Sequence, residues 1–154
     1  PIHALIGHSL GGFASVYCAA KKIKLDKIIL LCPVNNVFQI FETFFNYTRL
    51  KEKTRNLMIN YFIKKTGIII NSELSSEKLV KQIKAKILLI HDESDTQLSI
   101  LESKKIKKNI TGGAFYFTKG LGHSRLLRNS KVVDRIILFL KSWNINNFLN
   151  LIHL

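Results

Sequence analysis

The chemistry in this sequence is carried by one serine, a knot of carboxylates and a scatter of histidines. Ser9 stands in Gly7-His8-Ser9-Leu10-Gly11-Gly12. The run before it, Ile2 to Ile6, is apolar apart from His3, and Phe13, Val16, Tyr17 and Ala20 follow at helical spacing. Strand, Gly-x-Ser-x-Gly, helix is the setting of a nucleophile elbow, in which the serine occupies a strained turn and its hydroxyl stands clear of the sheet. Crowding at such a turn predicts that Gly7 and Gly11 are glycines because side chains there would collide. The helix starting at the elbow aims its N-terminus at the site, so the Leu10 N–H is the expected donor to a developing oxyanion.

A serine hydroxyl is a poor nucleophile until a base takes its proton. Histidine titrates near neutrality and can take that proton and return it to a leaving group. A carboxylate then holds the imidazole in one tautomer and stabilises its charged form. Asp92, Glu93 and Asp95 compete for the carboxylate role, and His3, His8, His91, His123 and His153 for the base. His8 lies beside the serine and His91 at a strand end, positions that favour packing or support over proton transfer. Ser94 and Ser124 read as loop residues, and Cys18 and Cys32 as core thiols. No His/Cys/carboxylate spacing points to a metal, and no cofactor is implied. The elbow is no phosphate loop, because it lacks the Gly-Lys-Ser/Thr ending.

These groups need elements to position them. Leu10–Lys22 reads as a helix, and Ile28-Ile29-Leu30-Leu31-Cys32, closed by Pro33, as a parallel strand buried on both faces. From about Asn35 to Ile83 the rhythm breaks. Phe38, Phe41, Phe44 and Phe45 alternate with a polar stripe of Gln39, Glu42, Thr43 and Asn46, which predicts a helix. A second helix is expected at about Lys53–Lys65, with Leu57, Met58, Tyr61 and Phe62 apolar and Gly67 as its stop. Ile68 to Ile83 reads as irregular with one helical turn. The insertion resembles a helical cap whose aromatic face packs on the body, lines an acyl pocket or touches lipid. The alternation resumes with the strand Ile87–His91, a capping box Ser99-x-x-Glu102 opening a helix to about Asn109, and a strand Ala114–Thr118. Ser130 is the expected cap of a last helix with Val133, Ile136, Ile137 and Leu140 on one face. Asn144–Leu154 reads as a tail that adds a turn or frays.

With these elements in order, the chain resembles the C-terminal half of an α/β-hydrolase. Gly7–Gly12 matches the family's elbow, Ile87 to Asp95 its acid-bearing strand and turn, and Gly120-Leu121-Gly122-His123 its histidine loop. Within the family the likeness is to bacterial esterases and to monoacylglycerol-lipase-like and serine-aminopeptidase-like members. It implies an α/β fold of about four parallel strands with flanking helices and an inserted cap, the N-terminal strands of the eight-stranded family sheet being missing. It implies Ser9 as nucleophile, His123 as base and acid, and Asp95 as the orienting carboxylate. The substrate class implied is a small-molecule ester or amide. The loop giving the family's second oxyanion donor would lie upstream of Pro1, so the chain is read as a piece of a longer protein. The rival reading is a non-catalytic chain, either an inactive truncated hydrolase fragment or a half that needs a partner chain.

Composition narrows the partners. Net charge is +14, from 24 Lys+Arg against 10 Asp+Glu. The lysines are scattered, as at Lys51, Lys64, Lys81, Lys107 and Lys131, and read as a solvated surface, not a nucleic-acid stripe. Two cysteines are too few for a disulfide framework and suggest a reducing compartment, the cytoplasm. No apolar run reaches the roughly 18 residues of a membrane span, so no stable membrane insertion is expected.

Overall fold

The computed structural model describes residues 3–21, 23–71 and 74–142. Four parallel strands, β1 (Ala4–His8), β2 (Lys27–Leu31), β3 (Lys86–Asp92) and β4 (Ala114–Thr118), lie side by side in chain order. The helices are α1 (Leu10–Ala20), α2 (Val37–Thr48), α3 (Glu52–Thr66), α4 (Ser76–Leu79), α5 (Ile100–Lys107), α6 (Gly122–Arg125) and α7 (Ser130–Lys141). This is the expected α/β architecture.

The continuous apolar runs of β2 and β3 are explained by burial on both faces. Ile29, Leu31, Leu88 and Ile90 pack with Leu126, Val132 and Phe139. Their neighbours one residue along, Ile28, Leu30, Ile87 and Leu89, point the other way and pack with Val16, Ala19, Val80 and Ile106. β1 differs. It pairs only with β2 among the described residues, and Ile6 is 54% exposed. The strand is therefore a sheet edge, displaced by two residues from the Ile2–Ile6 expected, and Ile2 lies outside the described residues.

The chain divides into two compact units, one of Pro1–Asn35 with Ser76–Leu154 and one of Asn36–Ser75. Ser76–Gln82, grouped with the insertion by sequence, belongs to the first. The second unit holds α2 and α3. Asn36 caps α2 by accepting from the Phe38 N–H at 2.9 Å. Phe41 meets Phe45 and Phe62 edge-on, with ring centroids 5.8 and 5.6 Å away. α3 ends at Gly67, whose φ of 69° suits a residue without Cβ. The described helices include none long and apolar enough to cross a membrane.

Two helix readings need correction. The cap of α7 is Asn129, whose side chain accepts from the Val132 N–H at 3.2 Å, and Ser130 is already helical. The inward face of α7 is Val132, Ile136 and Phe139, while Val133, Ile137 and Leu140 are solvent-facing. Ser99 does cap α5, accepting from the Leu101 N–H, but Glu102 turns to Lys105 and Asn35. The reciprocal half of the expected capping box is absent. Asn144–Leu154 lies outside the described residues.

Candidate active site

The elbow is built as its sequence suggests. Ser9 follows β1 directly, caps α1, and holds φ 56° and ψ −121°, a conformation costly for any residue with a side chain. The turn is held from outside: the Ser9 N–H donates to Leu31 O at 3.0 Å, and Ser9 O accepts from Gly12 and Val34 at 3.0 and 3.1 Å. No hydrogen bond ties the serine side chain to the helix it caps. Leu10 opens α1, where first-turn N–H groups have no intrahelical acceptor.

The glycines divide differently from expectation. A Cβ on Gly7 would lie 2.3 Å from Gly11 O, and one on Gly12 would lie 2.8 Å from Pro33 Cβ. A Cβ on Gly11 would meet nothing within 4 Å. Gly7 and Gly12 are the crowded pair, and Gly11 contributes its carbonyl to the crowding at Gly7.

At the ends of β3 and β4, Asp95 and His123 come together. His123 Nδ1 donates to Asp95 Oδ2 at 2.7 Å, with both side chains buried. A proton on Nδ1 leaves Nε2 of the neutral ring with its lone pair free for a proton. The Gln97 and Leu98 N–H groups donate to Asp95 Oδ1 at 2.8 and 2.9 Å. Burial alone would raise this carboxyl. The bonds from Leu98, His123, Gln97 and the Cys32 thiol outweigh it and hold the group below its ordinary value.

Asp92 has a different task. Oδ1 accepts from the Ser94 and Gly122 N–H groups, and Oδ2 from the Leu121 N–H and the Thr118 hydroxyl, all within 2.7–3.0 Å. Burial opposes ionisation, but the Thr118, Gly122, Leu121 and Ser94 donors prevail and hold the carboxyl low. Asp92 thus pins the histidine loop and does not contact the imidazole through any of these bonds. Glu93 is exposed.

His8 joins the elbow to that loop. Its Nε2–H donates to His123 O at 2.9 Å, and the two rings are 4.6 Å apart by centroid. The residue before the candidate nucleophile therefore touches the candidate base. His3 pairs with Asp26 on the surface, and His153 lies outside the described residues.

Cys32 is the core thiol expected from sequence, but its place beside Asp95 and His123 was not expected. It follows β2 directly with φ 43°, fully buried, and its thiol, an Asp95 oxygen and a His123 nitrogen lie within 4.8 Å of one another. Three such groups are potential metal ligands, but the carboxylate and imidazole are already hydrogen-bonded. Burial, with the nearby Asp95 and Asp92 charges, pushes the thiol up to about 12, so the cysteine stays protonated. A protonated thiol donates to Asp95 and is a poor metal ligand. Nothing in the linear spacing could have signalled this placement, because β2 and β3 bring Cys32 to Asp95 only by pairing.

The comparisons bear on the fold. No protein-family model and no curated protein matches the sequence. Among solved structures, an alpha/beta hydrolase enzyme from lagoon-sediment metagenome of Mar Chica, Morocco, is 14% identical, with TM-score 0.58 over 87% of this chain and 58% of that one. The chain has the α/β-hydrolase fold. This fold is shared with an esterase from Pyrococcus furiosus, 17% identical, TM-score 0.63, over 91% of this chain and 53% of that one. It is also shared with a monoacylglycerol lipase from Paleococcus ferrophilus, 16% identical, TM-score 0.58, over 89% and 67%. The chain spans roughly half to two thirds of the length of the hydrolase-fold structures it matches, from 48% to 67%. In an α/β-hydrolase fold the turn after β1, the turn after β3 and the loop after β4 all lie at the C-terminal ends of parallel strands, where open α/β sheets place their sites.

Proposed function

We propose that this chain carries the catalytic apparatus of a serine hydrolase that cleaves a carboxylic ester or amide through an acyl-enzyme. Ser9 attacks the carbonyl, and His123 Nε2 takes its proton and passes it to the leaving group. Asp95 holds Nδ1–H and stabilises the imidazolium. The Leu10 N–H receives the oxyanion. The observation that carries this reading is the 2.7 Å Asp95–His123 bond, together with a serine in a strained elbow whose neighbour His8 bonds the His123 carbonyl. No cofactor is required by these steps. The test is labelling with a serine-directed phosphonate, with wild type modified at Ser9 and Ser9→Ala unmodified. Equal labelling of both would remove Ser9 from the mechanism.

A second reading concerns residues 1–154 taken alone. Ile6 and Leu10, 54% and 52% exposed, leave the elbow's outer flank uncovered, and Leu10 supplies a single oxyanion donor. Losing one such donor costs roughly 10²–10³-fold in kcat. On this reading the isolated segment binds substrate analogues poorly and turns over esters far more slowly than a longer chain. Turnover of p-nitrophenyl esters by the two, measured side by side, decides it: rates within about tenfold of each other would reject it.

A further inference from the structure

Asp95 faces a second histidine. His91 is fully buried at the end of β3, and its Nε2 lies 3.0 Å from Leu98 O and 3.3 Å from Asp95 Oδ2. Its other nitrogen, Nδ1, lies 2.7 Å from the buried Ser103 hydroxyl of α5. A carbonyl only accepts, so Nε2 carries a proton. In a neutral ring Nδ1 then accepts from Ser103 Oγ–H. Burial lowers the pKa of this imidazole, which agrees with a neutral ring.

We propose that His91 is a positioning residue for Asp95: a neutral Nε2–H imidazole, oriented by Ser103, that ties Leu98 and the Asp95 carboxylate to the end of β3. The assignment rests on the proposed triad for its catalytic meaning, but its geometry is independent of it. The turn from Glu93 to Ser99 contains no helix or strand. Without side-chain ties, such a turn would let the carboxylate wander. The Leu98 N–H donates to Asp95 Oδ1, and the Leu98 carbonyl receives His91, so one peptide neighbourhood is clamped from both sides. His91 also offers Oδ2 a second, longer contact beside His123. The two histidines thus divide the labour. His123 exchanges protons, and His91 keeps its own, because Ser103 and Leu98 occupy both of its nitrogens. A misplacement of about 1 Å near reacting groups can cost roughly 100-fold in rate.

The experiment uses the full natural chain. Nitrogen-15 NMR at neutral pH should show His91 as the neutral Nε2–H tautomer. A charged ring, or the Nδ1–H tautomer, would overturn the proposal with no variant needed. The downfield proton of His123 Nδ1–H, assigned by its loss in Asp95→Asn, supplies the second readout. His91→Leu should shift that resonance and lower kcat roughly ten- to hundredfold with KM within about twofold. His91→Gln, whose amide can still donate towards Leu98 O, should restore most of both. A folded His91→Leu with unchanged resonance and kcat would refute it. If Ser9→Ala retains full activity, the triad reading fails; the tautomer and the His123 resonance still judge His91.

Discussion

Asp92 and Asp95 are three positions apart, and each binds a different part of the same histidine loop. Asp95 takes the His123 side chain through Nδ1, while Asp92 takes the Leu121 and Gly122 backbone that carries it. One carboxylate sets the chemistry of the imidazole and the other its address.

That division gives the first expectation. Asp95→Asn should lower kcat by roughly 10⁴-fold, the scale of the corresponding change in a serine protease, and should also lower stability, because its buried carboxylate accepts from Gln97, Leu98 and His123. Asp92→Asn should lower stability by about 3 kcal/mol, because a buried acceptor of four hydrogen bonds loses its charge, with a far smaller loss of kcat. Paired urea melts and ester kinetics separate the two. Equal kinetic losses would contradict the division.

The glycines of the elbow make a second. Gly11→Ala should be neutral or stabilising by about 0.5–1 kcal/mol, since its Cβ enters open space in a helix. Gly7→Ala should destabilise by about 1–3 kcal/mol, because its Cβ would overlap the Gly11 carbonyl. Thermal unfolding of the two variants checks the order, and a Gly11→Ala protein weaker than Gly7→Ala would reverse it.

The pH dependence of stability follows from the two depressed carboxylates. Their folded-state values lie below the ordinary aspartate value of about 3.9. Their contribution is therefore whole above about pH 4 and is lost as pH falls through the folded-state values. Unfolding free energy should fall steeply below about pH 4, with a shallower slope in Asp92→Asn. Stability that rises between pH 5 and pH 3 would contradict this sign.

A fourth expectation tests the face of α7. Phe139→Ala should cost about 3–5 kcal/mol, because the ring is fully buried against the sheet. Ile137→Ala should cost within about 0.5 kcal/mol, since that side chain is 41% exposed. Chemical denaturation of both variants gives the comparison, and equal losses would restore the face expected from sequence.

Much of this protein is legible in its sequence because the signals are local. The apolar runs Ile28–Leu31 and Ile87–Ile90 are long enough to declare strands buried on both sides, and Gly67 marks a helix end. Ser9 announces its turn through its own neighbours, because strand, turn and helix meet within a dozen residues. Asp95 and His123 are singled out from their competitors only by the resemblance of their loops to the hydrolase family. Helix face is less secure: α7 has apolar residues on more than one side, so spacing alone favoured Val133 and Ile137 over Val132 and Phe139.

What only the tertiary structure decided is which distant groups share a carboxylate. Cys32 lies 63 positions before Asp95 in the chain, and parallel pairing of β2 with β3 places its thiol beside that side chain. His8 reaches His123 across 115 positions, and the Ser103 hydroxyl of α5 meets Nδ1 of His91 at the end of β3. Even the cause of the small residues in the elbow is tertiary, since Gly12 is small for Pro33, which follows the next strand. Local sequence determines φ, ψ and periodicity. Hydrogen-bond partners depend on where the sheet brings strand ends together, and that is a property of the whole packed chain.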